Sequence, residues 1–179
     1  GEFNFVENRA NLRWFQPLVP NTDLFVLRLN STMGFIHSTD GRPIPFIHRF
    51  RAGGINSVRG YNWFSLGPTV RAFQNDDPVR ADDALIVGGT QTWVNNFEIE
   101  SPIIRAAGIS GVVFFDAGNA FGDPWGEGNI NPMDLRFSSG FGVRWRSPMG
   151  PMRFEWGFPI KPRDGERPSV FDFSIGSFF

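Results

Sequence analysis

The stretch LRFSSGFGVRWR, residues 135–146, alternates between two kinds of side chain. In a β-strand successive side chains point to opposite faces, so a period of two predicts a strand with two different faces. One face is mainly apolar and aromatic, with Leu135, Phe137, Ser139, Phe141, Val143 and Trp145. The other face is small or cationic, with Arg136, Ser138, Gly140, Gly142, Arg144 and Arg146.

The same alternation recurs along most of the chain and predicts about seven strands. Most of them are about ten residues or longer. Strands of soluble sandwiches usually have about five or six residues, whereas a strand that crosses a membrane needs about nine to eleven. The strands are expected near residues 2–16, 22–37, 86–101, 108–121, 135–147, 150–160 and 170–179.

The make-up of the two faces indicates which of them meets the surroundings. The chain has 21 phenylalanines and 6 tryptophans but only one lysine, Lys161, and its polar faces are rich in glycine and arginine. An apolar outer band with aromatic residues and a polar interior is typical of a transmembrane β-barrel, which must close because lipid cannot satisfy a sheet edge. The predicted fold class is therefore all-β, a transmembrane antiparallel β-barrel. The alternative is a soluble β-sandwich, in which the aromatic face would form a dry core.

Composition excludes several other classes of protein. The net charge of −1 argues against nucleic-acid binding driven by bulk charge. The absence of cysteine excludes disulfides and cysteine–metal sites. His37 and His48 have no metal-ligand partner at useful spacing, and the sequence contains neither GxSxG nor a phosphate-binding loop. We therefore expect no enzyme active site, no metal and no cofactor.

One arginine stands out in the stretch AGGINSVRGYNW, residues 52–63, which carries three glycines around Arg59. It belongs to a segment from 38 to 85 without clear periodicity, far longer than the usual connection of about four to six residues. Connections of this length are commonly functional or disordered.

The carboxylates Glu98, Glu100 and Asp116 fall on the polar faces of the next two predicted strands. If those faces line an interior and the long segment folds inward, Arg59 can form a bidentate ion pair there. Alternatively, the carboxylates pair with strand arginines such as Arg144 and Arg153, and the spacing alone leaves both arrangements open.

Four stretches together carry a family resemblance. VRGY (58–61) resembles the VRGF/Y motif in the sixth extracellular loop of the BamA superfamily, the outer-membrane-protein insertases. FFDAGNAF (114–121) is similar to the family's DAG strand, and FGVRWRSPMGPMRFEWGFPI (141–160) to its last hairpin. FDFSIGSFF (171–179) resembles its closing strand. The resemblance covers the chain from about residue 22 onward, with all four motifs in the family's order.

The resemblance implies that residues 1–179 are the C-terminal portion, about seven to eight strands, of a sixteen-stranded outer-membrane barrel preceded by POTRA domains. It implies that segment 38–85 is a long extracellular loop that folds into the lumen. The family's loop motif maps onto Val58, Arg59, Gly60 and Tyr61, and its partners in the barrel wall map onto Asp116 and Glu98.

The resemblance also implies a function, the insertion and folding of β-barrel proteins in the bacterial outer membrane. The implied partners are membrane lipid, nascent β-barrel clients and accessory lipoproteins. The alternative within the superfamily is a two-partner secretion or translocation pore. We expect a C-terminal signal that the assembly machinery reads at Phe171, Phe173, Ile175, Gly176 and Phe179. Gly176 is also expected to be a weak point of the last strand, because glycine reduces strand stability.

Overall fold

The computed structural model describes residues 3–71, 73–74, 77–78, 84–122 and 130–176. Long strands with alternating burial form the body of the molecule, as the period of two predicts. In chain order the strands are β1 (Phe5–Pro17), β2 (Val26–Ser38), β3 (Thr69–Arg71), β4 (Phe73–Gln74), β5 (Asp77–Pro78), β6 (Ala84–Ile86), β7 (Gln91–Ile104), β8 (Ile109–Phe121), β9 (Arg136–Ser147), β10 (Gly150–Ile160) and β11 (Val170–Ile175).

Seven of these strands form one antiparallel sheet in the order β1-β2-β7-β8-β9-β10-β11. Neighbours in the sheet are neighbours in sequence, except that residues 39–90 intervene between β2 and β7. We call residues 39–90 the long loop. Within it, β3 pairs with β6 and β4 pairs with β5 as two small antiparallel ribbons. Short 3₁₀ turns lie at Phe46–His48, Arg105–Ala107 and Pro132–Asp134.

Two strands begin later than the alternation predicts. β2 starts at Val26 rather than near residue 22, because the chain turns between β1 and β2 and Asn21 there has a φ of 59°, outside the extended region. β7 starts at Gln91 rather than near residue 86, since Gly88 has a φ of 76°, outside the extended region.

The last strand is shorter than predicted. β11 has six residues, and Gly176 follows it with a φ of 138°, a value that favours glycine. Gly176 therefore directly follows the strand, where its backbone N–H still donates to the carbonyl of Pro151 at 2.8 Å. Residues 177–179, including Phe179, lie outside the described residues.

The sheet has an outer face of exposed aromatic rings. Phe115 packs between Phe97 and Phe137, with ring centroids 6.3 and 6.0 Å away, respectively. Phe141 and Phe171 are each 51% exposed, and Trp156 lies between them on β10. The alternative of a soluble sandwich is wrong, because it would bury these rings in a dry centre. Exposed outer-face aromatic residues of β7 to β11 are Phe97, Phe115, Phe137, Phe141, Trp156, Phe158, Phe171 and Phe173.

The opposite face, which we call the inner face, is covered by the long loop. Ala52, Val58, Tyr61 and Leu66 of the loop form a buried apolar cluster with Val94 of β7. Removing this apolar surface from water helps hold the loop on the sheet. No helix in the described parts of the chain is long and apolar enough to cross a membrane.

Candidate functional site

The tip of the long loop is a tight turn that projects Arg59 toward the inner face. Gly54 N–H donates to the carbonyl of Val58 at 3.1 Å, and Ser57 N–H donates to the carbonyl of Gly54 at 3.0 Å. Gly54 and Gly60 have φ values of 96° and 84°, which side-chain-bearing residues rarely adopt. The glycines therefore permit the backbone path that delivers the arginine.

Arg59 makes a bidentate ion pair with Asp116 of β8. Its Nε donates to Oδ2 and its Nη2 donates to Oδ1, both at 2.7 Å. The backbone N–H of Arg59 donates to the same carboxylate at 3.0 Å. Both side chains are almost completely buried, at 1% and 0% exposure, so the pair is desolvated and geometrically specific.

Further groups complete the environment of this guanidinium. Nη1 of Arg59 donates to Glu98 Oε1 of β7 at 2.6 Å and to Glu155 Oε2 of β10 at 3.3 Å. Arg59 Cζ lies 3.6 Å from the ring centroid of Phe114, a cation–π contact. Burial acts to lower the pKa of Arg59, but the negative charges of Asp116, Glu98 and Glu155 outweigh it and raise the pKa, so the group stays charged.

A second buried arginine binds two of the same carboxylates. Nη2 of Arg144, on β9, donates to Glu98 Oε1 at 2.7 Å and to Glu155 Oε1 at 3.0 Å. Its Nη1 donates to Glu100 at 3.1 Å. The two guanidiniums and the three carboxylates that bind Arg59 thus meet under the loop, with Glu100 at the edge. We call Arg59, Arg144, Glu98, Asp116 and Glu155 the buried charge cluster.

The other residues of the VRGY stretch have contacts of their own. Val58 lies in the apolar cluster with Val94. Gly60 rests against β10, where a Cβ on Gly60 would come within 2.9 Å of the carbonyl carbon of Gly157. The hydroxyl of Tyr61 donates to the carbonyl of Phe137 at 2.9 Å. All four residues of the stretch therefore contact the sheet.

The sequence-predicted residues fall into two separate groups in the structure. Arg59, Asp116 and Glu98 come together in the buried charge cluster. The C-terminal strand residues lie apart from it, because Phe171, Phe173 and Ile175 project from the outer face of β11. The pairing of carboxylates with strand arginines also occurs, since Arg144 shares Glu98 with Arg59.

Three residues of the site were missed by sequence reasoning. Glu155 falls on the polar face of the predicted strand 150–160, two residues after Arg153, but the pattern does not mark it as a partner of Arg59. Asn96 donates from Nδ2 to Asp116 Oδ1 at 2.9 Å and to the carbonyl of Ser57 at 2.7 Å, which joins wall and loop. Its position two residues before Glu98, on the same face of β7, was the available signal. Phe114 interrupts a polar face, and nothing in the alternation marks it as a ring that stacks on an arginine.

The cluster holds charged groups that fix one another, with no hydroxyl or imidazole among its five side chains. No group of three or more acidic or histidine side chains suited to a metal occurs in the described ranges. Buried ion pairs of this kind give geometric specificity, here between a loop and a barrel wall.

The antiparallel sheet carries aromatic rings on its outer face and charged groups on its inner face, which the long loop covers. This arrangement is typical of the wall of a membrane β-barrel. Comparison with protein families agrees, since the whole chain, residues 1–179, matches the Omp85 superfamily domain. The chain belongs to the Omp85 superfamily, and this places it in the bacterial outer membrane.

Known relatives are similar over almost all of the chain. It is 34% identical over 181 residues to the outer membrane protein assembly factor BamA of Nitratidesulfovibrio vulgaris, covering 100% of this chain and 21% of the relative. It is 30% identical over 195 residues to the BamA of Neisseria meningitidis serogroup B, covering 94% of this chain and 23% of the relative. The chain thus spans about a fifth of the length of these curated relatives.

A solved structure shares the fold. The crystal structure of BamA from Haemophilus ducreyi lacking POTRA domains 1-3 matches with a TM-score of 0.77 at 24% sequence identity. The match covers 95% of this chain and 34% of that chain. The seven-stranded sheet is therefore part of a larger barrel, in agreement with the predicted fold class.

Proposed function

We propose that the full-length protein inserts and folds nascent β-barrel proteins in the outer membrane, and that the buried charge cluster holds the long loop inside the barrel lumen. The observation that supports this role best is the burial of Arg59 among three carboxylates on three different strands. One loop residue thereby joins β7, β8 and β10. The names of the two curated relatives favour protein assembly over the alternative of a secretion pore.

The proposed mechanism uses backbone pairing rather than covalent chemistry. β11 pairs on one side with β10, and the described sheet ends at its other edge. An exposed strand edge can template an incoming strand through main-chain hydrogen bonds. Such templating needs a stable wall behind the edge, and a loop cross-linking β7, β8 and β10 supplies one. The activity requires neither ATP nor a cofactor in this proposal.

The proposed partners follow from the two faces of the sheet. The exposed aromatic residues of the outer face contact outer-membrane lipid, which accepts apolar surface without cost. Nascent β-barrel proteins bind at the strand edge. The proposed C-terminal strand signal includes Phe171, Phe173 and Ile175, whose side chains are exposed on β11. Accessory lipoproteins bind elsewhere on the full-length protein.

The test replaces Arg59 by alanine in the full-length protein and follows assembly of a β-barrel client in liposomes. We expect slower client assembly together with faster proteolysis of the long loop, because three carboxylates lose their loop cation. Arg51→Ala is the matched control, since Nη2 of Arg51 donates to the carbonyl of Phe46 within the loop itself. An unchanged assembly rate in Arg59→Ala, with the loop demonstrably more accessible, would contradict the proposed role.

A further inference from the structure

One strand of the wall contacts the loop tip at three alternate positions. Arg153, Glu155 and Gly157 are spaced by two along β10, so their side chains share the inner face. Each of them meets a different part of the loop tip: Arg153 meets Asn56, Glu155 meets Arg59, and Gly157 meets Gly60. The loop tip therefore runs along β10 as well as reaching across to β8.

The contact at Gly157 leaves no room for a side chain. A Cβ built on Gly157 would lie 2.3 Å from the backbone nitrogen of Gly60 and 2.5 Å from its Cα. Real Cβ atoms do not approach backbone atoms so closely, and a backbone cannot yield as a flexible side chain can. Only a glycine at 157 lets the loop backbone lie directly on the strand.

The contact at Arg153 is polar. Its Nη2 donates to Oδ1 of Asn56, and the Arg153 side chain is buried, at 1% exposure. Asn56 is exposed and precedes Arg59 by three residues in the loop tip. The hydrogen bond therefore orients the part of the tip that the bidentate pair of Arg59 does not reach.

We propose that β10 is a docking track for the long loop, in which Arg153 and Gly157 are positioning residues that seat the loop tip in addition to the Arg59–Asp116 pair. This inference deepens the proposed function and rests on it for its biological meaning. At Gly157 the position of the loop tip depends on close packing of two backbones, and at Arg153 it depends on a hydrogen bond to Asn56. Arg59 supplies charge between them.

The test uses hydrogen exchange on the full-length protein in lipid bilayers, with residue-level fragmentation. The backbone N–H of Arg59 donates to Asp116, so its exchange reports docking. The N–H of Gly54 donates to Val58 within the tip, so its exchange reports folding of the tip itself. In Gly157→Ala we expect exchange at Arg59 to rise about tenfold, with a smaller change at Gly54. Gly111→Ala is the matched control, because a Cβ there meets only the flexible end of Ile103.

A second variant tests the polar end of the track. Arg153→Leu should also speed exchange at Arg59, and Arg153→Lys should restore part of the protection, because its ammonium can still donate to Asn56. Exchange at Arg59 that stays at the wild-type rate in both Gly157→Ala and Arg153→Leu would overturn the track.

Client assembly measured on the same variants separates this inference from the proposed function. Faster exchange at Arg59 with slower assembly supports both. Faster exchange with an unchanged assembly rate supports the docking track but contradicts the proposed role of the docked loop.

Discussion

Arg59 of the long loop and Arg144 of β9 donate to the same oxygen, Oε1 of Glu98, at 2.6 and 2.7 Å. Two buried guanidiniums thus lie side by side, which is tolerable only because carboxylates separate and neutralise them. Glu155 of β10 binds the same two arginines, through Oε2 to Arg59 and through Oε1 to Arg144. Arg59 of the loop and Arg144 of the barrel wall therefore share the same two carboxylates, Glu98 and Glu155.

Replacing Glu98 by glutamine should destabilise the protein strongly. The substitution keeps the size of the side chain but removes the charge that both arginines share. Removing one partner of a buried pair typically costs about 3–5 kcal/mol in free energy of unfolding. Urea titration of the full-length protein in lipid measures this cost. The exposed pair of Arg105 and Asp23 is the comparison, and Arg105→Ala there should cost much less, because water screens an exposed ion pair. Equal costs at the two sites would contradict this prediction.

Arg59→Lys should protect the loop less well than arginine but better than alanine. Lysine keeps the positive charge, but its compact ammonium cannot bind both oxygens of Asp116 in parallel while also reaching Glu98. Limited proteolysis of the long loop, compared across Arg59→Lys, Arg59→Ala and wild type, measures the difference. If lysine protected the loop fully, charge alone would be sufficient and the bidentate geometry would have no role.

Phe114→Leu should loosen the loop without removing any charge. The ring lies 3.6 Å below the guanidinium of Arg59, and a desolvated cation–π contact contributes about 2 kcal/mol. We expect hydrogen exchange of the loop tip to accelerate accordingly. Phe115→Leu is a control one residue away, because Phe115 points to the outer face and packs against Phe97. The prediction fails if both variants change exchange at the tip equally.

The stability of the protein should fall at alkaline pH through Tyr61. Burial raises the pKa of its phenol above the ordinary value of 10.0, and the neighbouring Arg136 offsets this only in part. The folded state therefore holds the proton more tightly than the unfolded state. The stability that the protonated phenol of Tyr61 contributes is complete below pH 10 and is lost as the pH rises through the raised pKa.

Thermal unfolding of wild type and Tyr61→Phe between about pH 9 and pH 11 measures this effect. The Tm of wild type should fall more steeply than that of Tyr61→Phe, in which no phenol ionises. Other titrating groups are common to both proteins and cancel in the comparison. Parallel curves would show that Tyr61 does not ionise on unfolding.

The positions of the strands and the two faces of each strand could be predicted from the sequence, because both depend only on residues close together in the chain. The period of two assigns Arg144 and Glu155 to the inner face and Phe141 and Trp156 to the outer face, without knowledge of the partner strands. Strand ends were less predictable. Gly88 and Gly176 end the extended conformation through positive φ values, and a hydrophobic pattern carries no information about φ.

The amino-acid sequence by itself determined the class of fold, the membrane-facing side of each strand, the family and the presence of one arginine on a glycine-rich loop. Only the tertiary structure decided which groups that arginine meets. Asp116, Glu98 and Glu155 lie 57, 39 and 96 residues away in the chain. They converge because the register of four adjacent strands aligns their inner-face positions, and register depends on pairing between strands and not on the pattern within one.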